Sequence, residues 1–304
     1  MIDRRHLLFG TGAALAGGVG LTGYAVAVEP RMTPLVRSYA IAPASWPADL
    51  ALRIGVLADI HACKPWMTVE RLGGIVAQVN ALQPDLVVVL GDFNAGHALV
   101  SGPVLPKEWG DTLAGLESPL GTVAILGNHD WWHGPVPGLP GGPDDIRAAL
   151  RQNRITLLEN DVVPFSKNGR VFWVAGLADQ MAHRLRRGMT RGADDLQGTL
   201  ARVPSGDPVI LLAHEPFVFP RVPDHVAVTL SGHTHGGQVC LPIIGAPMSP
   251  SHRYRYGHIV EGGRHLIVSG GLGESGLPVR LGVPPELLCV DLGGTSLTAR
   301  PIER

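Results

Sequence analysis

The 304-residue chain has only three cysteines, Cys63, Cys240 and Cys289. They are odd in number and far apart, which excludes a disulfide framework and leaves room for at most one bond. An excess of charge is also missing. With 25 basic and 26 acidic residues the formal net charge is −1, so no global field would gather nucleic acid. No glycine period marks a collagen-like chain, and 45% hydrophobic against 17% charged residues excludes a disordered one. Beyond residue 28 no uncharged run approaches the length needed to span a bilayer. Glycine (40) and proline (26) are plentiful, so many short elements must be joined by sharp loops. Thirteen histidines remain as the compositional hint of metal chemistry, and they matter only where they cluster.

The first 28 residues read as an address. Arg4 and Arg5 precede an uncharged, Gly/Ala-rich stretch over residues 7–28, and Ala25-Val26-Ala27 offers a small-x-small cleavage pattern. Paired arginines before a weakly apolar segment resemble a twin-arginine (Tat) export signal. The same stretch is long enough to serve as a membrane anchor, so cleavage after Ala27 and retention both stay open. Either outcome implies an extracytoplasmic location, in the periplasm or at the outer face of the inner membrane, with the Tat translocation machinery as a partner. Residues 29–50, punctuated by prolines, read as a linker, and residues 51–304 as one domain.

Within that domain, strand patterns alternate with helical ones. Residues 53–58, 85–90 and 121–126 are short apolar runs of the kind expected for strands buried on both faces. Residues 68–82 carry Leu72, Ile75, Val76, Val79 and Leu82 at helical spacing, and 144–153 look helical. Further strands are expected at 171–175, 209–213, 226–230, 266–269 and 287–290. This alternation predicts an α/β protein with a largely parallel sheet.

The residues just past the strand ends are the informative ones. The first strand ends in Asp59-Ile60-His61, the second in Gly91-Asp92, the third in Gly127-Asn128-His129-Asp130. A later one ends in His214-Glu215-Pro216 and another in Gly232-His233-Thr234-His235. Carboxyl ends of strands form the ligand crevice of α/β sheets, so five loops would deliver Asp59, His61, Asp92, Asn128, His214, His233 and His235 to one rim. Each motif alone is weak, since D-x-H and G-D are common caps and turns; their joint order at strand ends carries the reading. Oxygen and imidazole donors without thiolate suit Mn, Fe or Zn. Seven of them exceed a closed four-ligand site and suit two divalent ions sharing a carboxylate.

The order D-x-H, G-D, G-N-H-D, H, G-H-x-H resembles the calcineurin-like metallophosphoesterase family across residues 54–292. Tyr254-Arg255-Tyr256-Gly257, Gly271-Leu272-Gly273-Glu274-Ser275 and Pro284-Pro285-Glu286 are similar to its bacterial branch of exported or membrane-associated phosphodiesterases. The resemblance implies a four-layer α/β/β/α sandwich with a dimetal centre at the sheet edge. It places Asp59, His61, Asp92 and His235 on one metal and Asp92, Asn128, His214 and His233 on the other. It gives His129 the role of the non-ligand histidine that stabilises phosphate charge or protonates the leaving oxygen. Where a related branch pairs that histidine with an aspartate, this chain has Ala95, with Asp130 or Asn94 as the candidate substitutes.

The implied chemistry is hydrolysis of a phosphodiester or diphosphate by a metal-activated hydroxide, with His129 and Arg280 covering phosphate oxygens. No serine nucleophile is needed, and Ser231 and Ser275 read as turn residues. Arg184-Leu185-Arg186-Arg187 with Arg191 forms a basic loop suited to phosphate or anionic lipid, or simply a solvated face. Trp131-Trp132-His133 beside the histidine loop could stack a base, meet a membrane surface or pack inward. The expected substrate is a phosphorylated small molecule, nucleotide-linked or lipid-linked; no specific nucleic-acid partner is implied. A phosphomonoesterase and a non-catalytic metal-binding protein remain the alternative readings. The H-x-H-x-D-H pattern of metallo-β-lactamase-type hydrolases is absent.

Overall fold

The computed structural model describes residues 18–132, 141–247, 249 and 253–294. Arg4, Arg5 and His133 lie outside the described residues.

Twelve strands form two six-stranded sheets. The first sheet has the order β1 (Leu35–Ile41), β12 (Glu286–Leu292), β2 (Leu52–Leu57), β3 (Leu86–Val89), β4 (Thr122–Ala124), β5 (Thr156–Leu157). Its β2, β3, β4 and β5 run parallel, while β12 is antiparallel to β2 and parallel to β1. The second has the order β10 (Gly257–Glu261), β11 (Arg264–Val268), β9 (Val226–Ser231), β8 (Val209–Leu212), β7 (Arg170–Gly176), β6 (Asp161–Lys167). Here β7, β8, β9 and β11 are parallel and the two edge strands antiparallel.

Period-two alternation splits each apolar run between two cores. Ile54, Val56, Leu86 and Val88 of the first sheet meet Phe172, Val174, Ile210 and Leu212 of the second in one buried cluster between the sheets. Leu57, Val87 and Val89 point the other way, onto Leu72, Ile75 and Val79 of helix α1 (Val69–Ala81) and Trp109 and Leu113 of α2 (Pro106–Leu113). On the far side, Val209 and Leu211 pack against Leu196, Leu200, Val218 and Phe219. Helix, sheet, sheet, helix: the four-layer α/β/β/α sandwich follows from which side chains share a core.

The segment 29–50, expected to be a linker, contains β1, which pairs in register with β12 from Leu35↔Glu286 to Ile41↔Leu292. Pro34 and Pro43 flank this edge strand instead of interrupting it, and its largely exposed side chains leave no apolar alternation to read. All three cysteines are free thiols. Among the described residues no helix is long and apolar enough to cross a membrane.

Candidate metal centre

Three adjacent parallel strands of the first sheet and two of the second end at one edge of the sandwich. Asp59 and His61 follow β2, Asp92 follows β3, and Asn128 and His129 follow β4; His214 follows β8, and His233 and His235 follow β9. The loops are tied together by their backbones: Asp59 N donates to Gly91 O (3.1 Å), His61 N to Asp92 O (2.9 Å), and Gly232 N to His214 O (3.0 Å). A carboxylate crosses between the sheets, since Asp59 Oδ1 accepts the His233 N–H at 2.9 Å.

All seven sequence-selected donors are brought together. His61 Nε2 lies 3.2 Å from His235 Nε2 and 3.5 Å from Asp92 Oδ2, and His235 Nε2 lies 3.8 Å from Asp59 Oδ1. On the other side His214 Nε2 approaches Asp92 Oδ2 at 3.2 Å, and His233 Nδ1 meets Asn128 Oδ1 at 2.9 Å. Asp92 stands between the two groups. Five of these residues, Asp59, His61, Asp92, His233 and His235, have φ between 46° and 69°. Non-glycine residues in that left-handed region are uncommon and concentrate at functional sites, where the surroundings hold them there.

The donors fit a cation. His61 Nδ1 is satisfied by Asn94 O (2.8 Å), His214 Nδ1 by Leu90 O (2.6 Å) and His235 Nδ1 by Gly273 O (3.1 Å). Each carbonyl accepts the Nδ1–H and turns Nε2 inward, the arrangement found behind metal-bound histidines. With that tautomer the facing Nε2 atoms of His61 and His235 are two acceptors, which a shared cation or proton makes favourable. Burial drives His61 and His233 down to about 3, keeping both imidazoles neutral and ready to ligate. Burial opposes charge on His214 as well, but the adjacent Asp92 carboxylate outweighs it and holds His214 well above its ordinary value. Burial raises Asp59 to about 7, with Asp92 reinforcing the shift.

His129 sits at the rim of this cluster without joining either set. Its backbone N–H donates to Asp92 Oδ1 (2.8 Å), its ring stands edge-on to His61, and its Nε2 lies 3.1 Å from Ser275 Oγ. Two expectations change here. Ser275, read as a turn residue, is the polar partner of His129. Neither Asp130 nor Asn94 takes that place, because Asp130 accepts the backbone N–H groups of Asp92, Phe93 and Gly127 and Asn94 Oδ1 accepts from Trp109 Nε1. The Gly271–Ser275 motif contains Ser275 but does not give it this role; its approach to His129 comes from the Gly96↔Ser275 bridge across distant loops.

Arg280 also differs from expectation. It is fully buried behind His235, and its guanidinium donates to the carbonyls of Gly270, Gly271, Gly273 and Val283. It braces the loop after β11 and does not face the rim. Glu215, passed over as the neighbour of His214, is buried with Oε1 3.7 Å from His233 Nδ1. Trp132 is half-buried, tilted against His129 at 5.2 Å between ring centroids, and carries the Arg184 guanidinium 3.7 Å above its ring. Trp131 packs at the edge of the helix-side core.

Comparison with known proteins agrees with this geometry. Residues 52–237 match the family model described as calcineurin-like phosphoesterase. A Bacillus subtilis (strain 168) protein, "Uncharacterized metallophosphoesterase YkuE", is 31% identical over 97% of this chain and 99% of its own length. "Phosphodiesterase YaeI" of Escherichia coli (strain K12) is 28% identical over 96% of this chain and 100% of its own. A Haemophilus influenzae NAD nucleotidase structure is a remoter likeness, with 16% identity, a TM-score of 0.47 and coverage of 73% of this chain and 46% of its own. Five strand-end loops that gather their donors at one edge of a four-layer sandwich, together with a family match across all five, lead to one conclusion: the chain belongs to the calcineurin-like phosphoesterase family.

Proposed function

We propose that the chain hydrolyses phosphodiester or diphosphate bonds using two divalent ions of the Mn, Fe or Zn class. Asp59, His61 and His235 would hold one, Asn128, His214 and His233 the other, with Asp92 between them. Ions held there supply water that is acidic enough to attack near neutral pH, together with positive charge for the phosphate oxygens. The observation that carries this reading is the set of buried imidazole nitrogens aimed at one another around Asp92.

The chain's own residues supply the rest. His129 stands beside the centre with Nε2 fixed by Ser275 Oγ, placed to hand a proton to the leaving oxygen. Burial lowers the His129 pKa, which makes its protonated form a better donor. Trp132 and the Arg184 stacked on it extend the rim on the His129 side. Arg184, Arg186, Arg187 and Arg191 make no ion pair with a carboxylate among the described residues, so this arm can take up a second anionic group. That supports a diester or diphosphate, nucleotide-linked or lipid-linked, over a monoester. The name of the similar YaeI protein points the same way.

The test is turnover by the purified, Mn-loaded chain of bis-p-nitrophenyl phosphate, the corresponding monoester, cyclic nucleotides and a UDP-linked lipid sugar. Metal-dependent turnover that favours diesters or diphosphates is expected. Activity that persists after exhaustive chelation with verified metal loss would overturn the reading.

A further inference from the structure

The N-terminal stretch ends in a place that no export signal requires. After a helical turn over residues 18–23, the chain continues through Tyr24–Val28 and Glu29–Arg31 directly onto the back of the ligand loops. Ala25 is buried and its carbonyl accepts the Arg280 N–H at 2.9 Å. Glu29 is 3% exposed, and its Oε1 accepts the Val283 N–H at 2.8 Å. Val26 packs against a small cluster of Cys63, Trp66 and Ala95, and the Arg31 guanidinium lies 4.4 Å above the Trp66 ring.

Each contact falls on a segment attached to the metal centre. Cys63 is two residues past His61, and Ala95 three past Asp92. The strand-like stretch pinned at Arg280 and Val283 carries the guanidinium that grips the carbonyls of Gly270, Gly271 and Gly273. Gly273 O in turn fixes His235 Nδ1, and Gly273 N donates to Asp59 O at 2.7 Å. Residues 24–31 therefore touch the supports of Asp59, His61, Asp92 and His235 from behind.

We infer that residues 24–31 are a built-in clamp on the metal-binding loops and that the working protein retains them. The clamp is incompatible with processing after Ala27. That cut would remove the Ala25 carbonyl and the Val26 side chain and would leave a charged amino terminus at Val28, next to the buried Glu29. It would also have to occur inside a folded helical turn, because a Tat-type route delivers the chain already folded. The clamp rests on the metal centre proposed above, but its test reads metal affinity and chain mass, neither of which needs turnover.

Two measurements on the full chain decide it. The first is the intact mass of all the protein recovered from an exporting host. A mass that includes residues before Val28 is expected; a chain that begins at Val28 and binds metal as tightly as the full chain overturns the inference. The second is chelator competition in detergent. Glu29→Ala removes the acceptor for the Val283 N–H, and Val26→Ser weakens the packing on Cys63 and Ala95. Each is expected to weaken metal binding measurably, by less than the ~10–100-fold cost of losing a direct support behind a ligand, because each acts through one or more intervening residues. Glu29→Gln keeps an acceptor oxygen and should restore affinity to near the parent value. A role in bulk stability alone would lower the unfolding midpoint of the metal-free chain and leave metal affinity unmoved. Unchanged affinity in both Glu29→Ala and Val26→Ser overturns the clamp.

Discussion

Asp92 and His129 lie in contact, yet they should fail in different ways. Asp92 faces His61 and His214 from opposite groups of donors, so Asp92→Asn removes the charge that both ions would share. Metal content should fall and turnover vanish. His129 donates only its backbone N–H to that carboxylate, a bond that survives a side-chain change. His129→Gln should keep metal bound while kcat drops ~10²–10⁴-fold, the range for a lost general acid. Metal analysis beside kinetics separates the two; loss of metal from His129→Gln would refute the assignment. Ser275→Ala removes one hydrogen bond from His129 Nε2, a net ~0.5–1.5 kcal/mol, so kcat should fall roughly 2–10-fold with metal content intact. Asp59 sets the pH dependence of loading. Its carboxyl, raised to about 7 by burial, must release a proton before it can bind an ion. Protons therefore compete with metal as pH falls below 7. Affinity should weaken by ~10-fold per pH unit there and keep rising above it, because His214, held well above its ordinary value by Asp92, must also give up its proton before it can ligate. A chelator titration at pH 6, 7 and 8 gives the slope, and equal affinity at all three would show that Asp59 does not gate loading.

At the scale of elements, the site is a product of where strands stop. The runs 53–58, 85–90 and 209–213 could be read because strands buried on both faces are continuously apolar, and the polar residues just past them could be read as a rim. The pieces without such a pattern could not be read: β1 with its exposed face, α2 opened by Pro106, and the edge strand β6. Ser275 and residues 24–31 escaped for a different reason. Their contacts join positions distant in the chain, and only the closed sandwich brings those positions together. The loops also need room. Gly232 follows β9 directly, and a Cβ there would lie 2.6 Å from Asp59 Oδ2. Asp59 is already fixed by the His233 N–H, so it cannot retreat without releasing the loop that carries His233 and His235. Gly232→Ala should therefore reduce metal binding far more than it alters the far-ultraviolet circular dichroism of the sheets. Full metal occupancy in that variant would show that the loop has slack which its hydrogen bonds do not suggest.

Across the whole molecule, the two sheets meet twice, through the aliphatic core between them and through the donors at one edge. Asp59, His61, Asp92 and Asn128 hang from the first sheet; His214, His233 and His235 hang from the second. A bound pair of ions would join the sheets by coordination where the apolar core ends. Without ions the same edge keeps two buried carboxylates beside each other and two imidazole nitrogens 3.2 Å apart, contacts that repel unless protons or cations intervene. Metal should thus stabilise the whole domain and not merely complete its chemistry. Because an unfolded chain has no preformed site, ligand at ~1,000 times its dissociation constant adds about 4 kcal/mol per site. At the ~2–4 °C per kcal/mol typical of domains near this size, each ion should then raise Tm on the order of 10 °C. Calorimetry of the metal-loaded and chelated protein tests this directly. The variants supply the control: Asp92→Asn should melt close to the chelated parent whether or not metal is added, while His129→Gln should keep the full metal-dependent rise. If chelation leaves the parent Tm unchanged, the donors do not couple the two sheets.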